Sequence, residues 1–436
     1  MDEENFQKVF TRKLNTADVA TAKAEDKLLE DEQYIPPPGN ISVLKCKNID
    51  GAAGQGSMLS LGGVRMQESR TWKSASILFS RSFSWSSEEF VLGDLQRLNS
   101  FQVTTSKKRT STGSVTAPLF GASVVDLEPT DSNDFHLLIA FGQDVEKFCS
   151  NNYLFEMKGS LRGNSIVADV TKWLPEKFNY REFEKPSSWS DGSEFVQKGE
   201  VPFVRSGAQL GILKHPNDQQ EQASFTMICT GGICMPSPGP LRILPADSNI
   251  FLLQYPGMTW TKLPRQNLLD RSHHSMYITG STVFIIGGYS WAENKPQKLF
   301  PVTEITRIVF NDCQVEQIDM IKLDIAPTSL AFPHFLTGFC CTGHDQSLWL
   351  FGGIPFPHYD PDKENLHTFL PPETPRNRLP DPSSLLLKIN LANFSISMKR
   401  GPEDARAQNG AILVCNASEP LLIMTCDPHI FIYRPK

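Results

Sequence analysis

The residues best equipped for chemistry are one histidine pair, a scatter of cysteines and a short basic run. His273-His274 is the only adjacent histidine pair. Neighbours on a strand point to opposite faces, so the pair suits a single metal ion poorly and reads as structural. The nine cysteines include no CxxC pair. Cys229 and Cys234 come nearest to a ligand spacing, but no histidine or second cysteine pair accompanies them. Buried, reduced thiols of an intracellular protein are the expectation. There is no Walker loop, HExxH, GxSxG or dinucleotide fingerprint. The reading is therefore a protein that is not an enzyme, with no catalytic residue, no metal ligand and no cofactor of its own. The basic run Lys107-Lys108-Arg109, set among Ser, Thr and Gly, has the composition to meet nucleic-acid phosphates, and equally that of a solvated loop. Lys158 and Arg162 are second candidates for the same contact.

These side chains need a scaffold, and composition bounds it. The chain has 436 residues, 40% hydrophobic and 21% charged, with 29 glycines and 31 prolines. That is enough for one large β domain or two ordinary ones, rich in turns. A net charge of −6 excludes a generally basic, nucleic-acid-coating protein and predicts weak DNA affinity for the isolated chain. No apolar run reaches the roughly 20 residues that span a bilayer, and the polar first thirty residues do not read as a secretory signal. Without one, the sequons at Asn40, Asn393 and Asn416 carry little meaning. Residues 1–40 are acidic and end in Pro36-Pro37-Pro38-Gly39. They read as a flexible arm, with a marginal helix over 16–30.

From Ile41 onward, short β-branched and aromatic runs alternate with Gly, Pro, Asn and Asp, the pattern of strands and turns. A unit recurs within it. Phe225-Thr-Met-Ile-Cys-Thr-Gly231-Gly232 is an apolar strand ending in two glycines. Thr282-Val-Phe-Ile-Ile-Gly287-Gly288 and Ser347-Leu-Trp-Leu-Phe-Gly352-Gly353 repeat it, and Phe135-His-Leu-Leu-Ile-Ala-Phe-Gly142 is a weaker copy. The final glycines are 90, 56 and 65 residues apart. Glycine serves where a strand ends against a neighbouring backbone or needs positive φ. The surrounding order is a strand, a turn, a strand ending Gly-Gly, then a hairpin ending Trp260-Thr-Lys-Leu-Pro264. It resembles the kelch repeat, whose units take about 50 residues.

The expected fold is all-β: a six-bladed kelch-type propeller over residues 41–436, four antiparallel strands per blade. The blades are expected at about 56–104, 118–170, 205–263, 273–318 and 336–398, and from 409 to the end. In the first, residues 76–80 fill the glycine-pair slot. The last blade is one strand short, and Ile41–Lys47 is expected to supply it against 429–433, leaving no open edge.

The insertions fall in a pattern. Residues 233–248, 289–302 and 354–383 follow glycine pairs, and 171–200 links the second blade to the third. Strand counting puts all four on one face, and long loops on a rigid scaffold are where function concentrates. Trp173, Tyr180, Trp189, Met235, Tyr289, Trp291, Phe356 and Tyr359 are its partner-binding candidates. The same counting puts Lys107–Arg109 on this face and Lys158 and Arg162 on the opposite one.

Several segments carry a narrower likeness. They are Ala117-Pro118-Leu119, Phe135 to Gly142, Asn151 to Met157, Gly199 to Gly207, Phe225 to Pro238 and Asn249 to Ser290. In this order they resemble the kelch accessory, second subunit of the RAG recombinase. The layout is that of invertebrate, transposon-type relatives, since no Cys/His cluster for a histone-reading PHD finger follows the last strand. The resemblance implies a nuclear accessory subunit, two copies of which join two of a RAG-like catalytic transposase. The catalytic partner would hold the divalent metal, and this chain would support its grip on DNA without any membrane contact. One departure is that Trp85 is followed by Ser86, Ser87, Glu88 and Glu89 where that family has basic residues, which weighs against DNA contact by this loop. Two alternatives stay open. One is a kelch scaffold or substrate adaptor unrelated to recombination, although no BTB or F-box module is recognisable. The other is a secreted copper oxidase, which needs clustered Tyr, Cys and His ligands.

Overall fold

A computed structural model of the chain describes residues 6–11, 40–50, 53–62, 64–66, 72–74, 78–85, 89–98, 101–105, 108–113, 121–128, 134–144, 149–160, 167–175, 195–213, 224–234, 244–245, 249–264, 270–292, 295–302, 304–323, 337–344, 346–354, 385–401, 412–415, 420–426 and 429–434. Among them there is no helix, so none crosses a membrane. The protein is all-β.

Among the described residues, most strands fall into six antiparallel ladders of four. The first joins Asn40–Asp50, Ala53–Gly62, Leu78–Trp85 and Phe90–Leu98. The second joins Ser123–Asp126, Asp134–Ala140, Leu154–Ser160 and Val167–Pro175. Gln209–Leu213, Phe225–Thr230, Phe251–Tyr255 and Thr259–Lys262 make the third. Ser275–Thr279, Thr282–Ile286, Glu304–Asn311 and Gln314–Lys322 make the fourth. The fifth holds Thr337–His344, Ser347–Ile354, Leu385–Asn390 and Ile396–Arg400. The sixth holds Ile412–Cys415, Pro420–Cys426, His429–Tyr433 and, as its outer strand, Phe6–Thr11. The first strands of successive ladders lie beside one another, and that of the sixth returns to that of the first. The arrangement is propeller-like.

The apolar strands follow from this stacking, because a middle strand is covered on both faces and cannot alternate with polar residues. Met227 and Cys229 pack with Leu138 and Ala140 of the second ladder. Ile228, between them in sequence, packs with Val283 and Ile285 of the fourth. Ile286 and Phe284 face Leu348 and Leu350 of the fifth. The outer strand of the fourth ladder shows the opposite character: Gln314–Lys322 contains no buried residue.

The second and third ladders merge into one eleven-stranded sheet. Val196–Gly199 pairs in parallel with Leu174 and Pro175 on one side and with Thr259 and Trp260 on the other. Gln197, fully buried, sits at the join. Its Nε2 donates to the carbonyls of Asn152 at 2.9 Å and Trp173 at 3.0 Å, and its Oε1 accepts from Trp260 Nε1 at 2.8 Å.

Three expectations are corrected. Ring closure is performed by Phe6–Thr11, which pairs antiparallel with His429–Tyr433. Ile41–Lys47 instead belongs to Asn40–Asp50, the innermost strand of the first ladder. The arm of residues 1–40 accordingly contributes a strand to the sixth ladder, and the helix expected over 16–30 falls outside the described residues. Finally, the first ladder begins earlier than residue 56. Its glycine pair is Gly62-Gly63, at the end of Ala53–Gly62, whereas residues 78–80 belong to the third strand. Met58-Leu-Ser-Leu-Gly62-Gly63 carries the same signature as the other copies.

Candidate functional site

One end of the ladders carries the elaborations. In the first four, the chain leaves the second strand, turns and makes a short antiparallel hairpin before the third. These hairpins are Val64–Met66 with Trp72–Ser74, Gln143–Asp144 with Cys149–Ser150, Ile233–Cys234 with Leu244–Pro245, and Tyr289–Ala292 with Lys295–Pro301. Each springs from the same end of its ladder, because each follows the second strand. Bridges between Asn151 and Arg205, Ser206 and Ile233, and Ser272 and Tyr289 tie them to the lead-ins of the inner strands.

The corners beneath the hairpins explain the glycine pairs. Gly231 and Gly232 take φ of 65° and 110°, and Gly287 and Gly288 take 62° and 79°. At Gly231 a Cβ would collide with the Arg271 carbonyl oxygen, and at Gly288 it would press on that of Ser272. In the second ladder the first position is Phe141, which holds φ of 65° as a non-glycine residue ahead of Gly142 at 108°. Its fully buried ring lies under the Arg205 guanidinium, and that contact compensates the strain. In the fifth ladder Gly352 takes φ of 77°, while Gly353 lies within the strand Ser347–Ile354.

Two buried arginines brace this end. Arg205 donates from Nη1 to the Gly231 carbonyl at 2.9 Å and from Nε to that of Phe203 at 3.0 Å. Arg271 donates to the Ile285 carbonyl and to Thr306 Oγ1, at 3.0 and 3.1 Å. Burial lowers its pKa to about 10, against the pull of Glu304. A belt of backbone bonds runs between lead-ins: the Gly207 N–H donates to Gly121 at 2.7 Å, and the His273 N–H to Gly207 at 2.9 Å. His273 stacks on Tyr289, whose hydroxyl lies 2.9 Å from its Nδ1. Burial depresses the His273 pKa to about 4 and drives that of His274 down as well. His274 Nε2 meets Thr230 Oγ1 at 3.0 Å. The histidine pair is thus built into the packing. No cluster of three His, Cys, Asp or Glu suited to a metal occurs among the described residues. Burial raises the Cys229 and Cys234 thiols to about 11 and 12, so both stay protonated at neutral pH.

The predicted residues divide. Tyr289 is fully buried, so it is withdrawn from the partner surface. Trp173 is not a free loop residue either. It stands in Val167–Pro175, donates from Nε1 to Glu156 at 3.1 Å, and its ring meets Phe195 edge-on at 5.3 Å. Trp291 lies in the strand Tyr289–Ala292. Tyr180, Trp189, Met235, Phe356, Tyr359, Lys107 and Arg162 lie outside the described residues. Lys158 stands in Leu154–Ser160, towards the end away from the corner, and pairs with Glu156 at 2.9 Å. Lys108 and Arg109 open the strand Lys108–Gly113. Its hairpin partner Phe101–Thr105 adds in parallel to the outer strand of the second ladder.

Sequence reading missed two features. Phe203 is 43% exposed at the hairpin-bearing end, on backbone held by Arg205 Nε and by Asn152 Nδ2, which donates to Pro202 at 3.4 Å. The second feature is a buried polar knot around Glu156. His136 Nε2 at 2.8 Å, Tyr255 Oη at 2.9 Å and Lys158 converge on Oε1, and Trp173 bonds Oε2. Burial alone would raise this carboxyl, but the donors outweigh it and hold the pKa at about 2. Its members come from two ladders and are separated by up to 119 residues, so no local motif announces it.

No family model matches the chain, and no curated protein does. Among solved structures, the one titled "Structure of YjhT" superposes over 92% of this chain and 95% of that one, with a TM-score of 0.49 and 11% identity.

Proposed function

We propose that the chain is a six-bladed kelch-type β-propeller that acts as a non-catalytic accessory subunit of a RAG-like transposase or recombinase in the nucleus. Support for the kelch reading comes from the repeated glycine corner, the Arg-Ser lead-ins at Arg205-Ser206 and Arg271-Ser272, and the four-strand order. The ordered likeness over about residues 56–436, carried by the segments between Ala117 and Ser290, supports the recombinase reading. The observation that carries a binding role is the gathering of hairpins and the exposed Phe203 at one end of a braced scaffold. Rigid backbone under an exposed aromatic lowers the entropy lost on docking. In this reading that end meets the catalytic subunit. Lys108 and Arg109 lie on an appended edge where flanking DNA is contacted within the complex.

Co-expression with a RAG-like catalytic protein, followed by a cleavage assay on terminal-repeat DNA with divalent metal, tests this. Stable co-purification and faster cleavage are expected. Phe203→Ser should weaken co-purification about tenfold with the fold intact. Cleavage that proceeds equally without this chain rejects the recombinase role. Capture of ubiquitin-ligase components instead would favour the adaptor reading.

A further inference from the structure

The edge strand Lys108-Arg109-Thr110-Ser111-Thr112-Gly113 has a defect at its hydroxyl residues. Register pairs Val103 with Thr110 and Phe101 with Gly113, leaving Gln102 alone opposite both Ser111 and Thr112. Two residues against one is a β-bulge, where the ladder opens locally. Among the described residues nothing pairs with the other side of this strand. Among the described residues its hairpin joins the second ladder through three parallel pairs, Gln102 with Asp169, Val103 with Val170 and Thr104 with Thr171. Such an outermost, bulged element opens at lower cost than the packed ladders.

The cations stand in a specific relation to the bulge. Lys108 and Arg109 precede Ser111 by three and two residues, and Arg109 precedes Thr112 by three. A basophilic Ser/Thr kinase selects cations at those offsets by charge complementarity and takes its substrate extended. An edge strand already has that conformation. We propose that the Ser111–Thr112 bulge is a phosphorylation site for such a kinase, and that the phosphate cancels the cationic edge. The hydroxyl oxygen attacks the γ-phosphorus of a nucleoside triphosphate. The new O–P bond forms as the bond to the β–γ bridging oxygen breaks. The electron pair leaves with the nucleoside diphosphate, and the hydroxyl proton passes to the kinase base. The added charge of about −1.5 to −2 at neutral pH nearly balances Lys108 and Arg109.

The test uses the folded full chain with a purified arginine-directed Ser/Thr kinase and ATP, followed by site mapping by mass spectrometry. Phosphate is expected on Ser111 or Thr112, and to be lost in the Ser111→Ala/Thr112→Ala variant. It should fall at least tenfold in Arg109→Gln. No incorporation, or incorporation that the double variant retains, overturns the site. Phosphorylated chain should leave a heparin column at lower salt than unmodified chain; unchanged elution overturns the charge effect. Neither readout depends on the recombinase reading, so the two proposals can fail separately.

Discussion

The Tyr255 hydroxyl of the third ladder donates to the Glu156 carboxylate of the second at 2.9 Å. This bond joins the two ladders through a carboxylate that three further side chains also reach, and it makes their seam sensitive to acid. Glu156 has its pKa at about 2 in the fold, against 4.5 for a free group. A depressed carboxyl contributes stability that is present above the unfolded value and lost as pH falls through the folded one. Urea unfolding from pH 7 to pH 3 should therefore show a loss beginning below about pH 5. Solvent screening through the exposed Lys158 discounts the limit at pH 2 and below to about 2 kcal/mol. In Glu156→Gln this acid dependence should flatten. Tyr255→Phe should cost about 1–2 kcal/mol at pH 7, and its effect should shrink when combined with Glu156→Gln, since the two residues share one network.

How much of this was legible in sequence depends on distance along the chain. The glycine corners are local, since an apolar strand meets Gly-Gly within eight residues, and Gly231, Gly287 and Gly352 all take positive φ. Gly62-Gly63 has the same signature, but the apolar Leu78 and Phe79 of the third strand imitate a second strand in sequence. Closure follows a related rule. Ile41–Lys47 is the stronger β run, and strength marks an inner strand. The outer position went to Phe6–Thr11, whose polar Gln7 and Lys8 suit an edge. The Glu156 knot and the Gln197 join were invisible because their partners meet only after the ladders stack.

Gln197 supplies a second prediction. Gln197→Leu keeps the volume but strands the Trp260 indole N–H and two backbone carbonyls in the interior. Each buried unpaired group costs about 1–3 kcal/mol, partly relieved by relaxation, so a loss of about 3 kcal/mol in denaturant titration is expected. A loss under about 1 kcal/mol would mean that Val196–Gly199 does not hold the two ladders together.

A turn glycine, Gly280, and a corner glycine, Gly231, separate conformational cost from close approach. Gly280 has φ of 57° with open space around its absent side chain, so Gly280→Ala should cost about 1–2 kcal/mol. Gly231 has φ of 65° and also faces the Arg271 carbonyl. Gly231→Ala must move backbone as well and should cost about 2 kcal/mol more than Gly280→Ala. Equal costs in thermal unfolding would show that positive φ alone fixes the motif.

Closure by Phe6–Thr11 gives the most direct test of the architecture. That strand pairs along His429–Tyr433, where the Ile432 and Tyr433 side chains are buried. Removing residues 1–11 takes away these pairs and opens an apolar edge, and an open edge invites pairing between chains. The truncated protein should be less stable by about 2 kcal/mol or more, and size-exclusion chromatography should show oligomers. A synthetic peptide covering residues 4–13 should bind the truncated chain and restore the elution volume of the full chain, because the vacant register accepts one strand only. Had Ile41–Lys47 closed the ring, truncation at residue 12 would leave stability unchanged and the peptide would find no site, so one titration decides between the two closures.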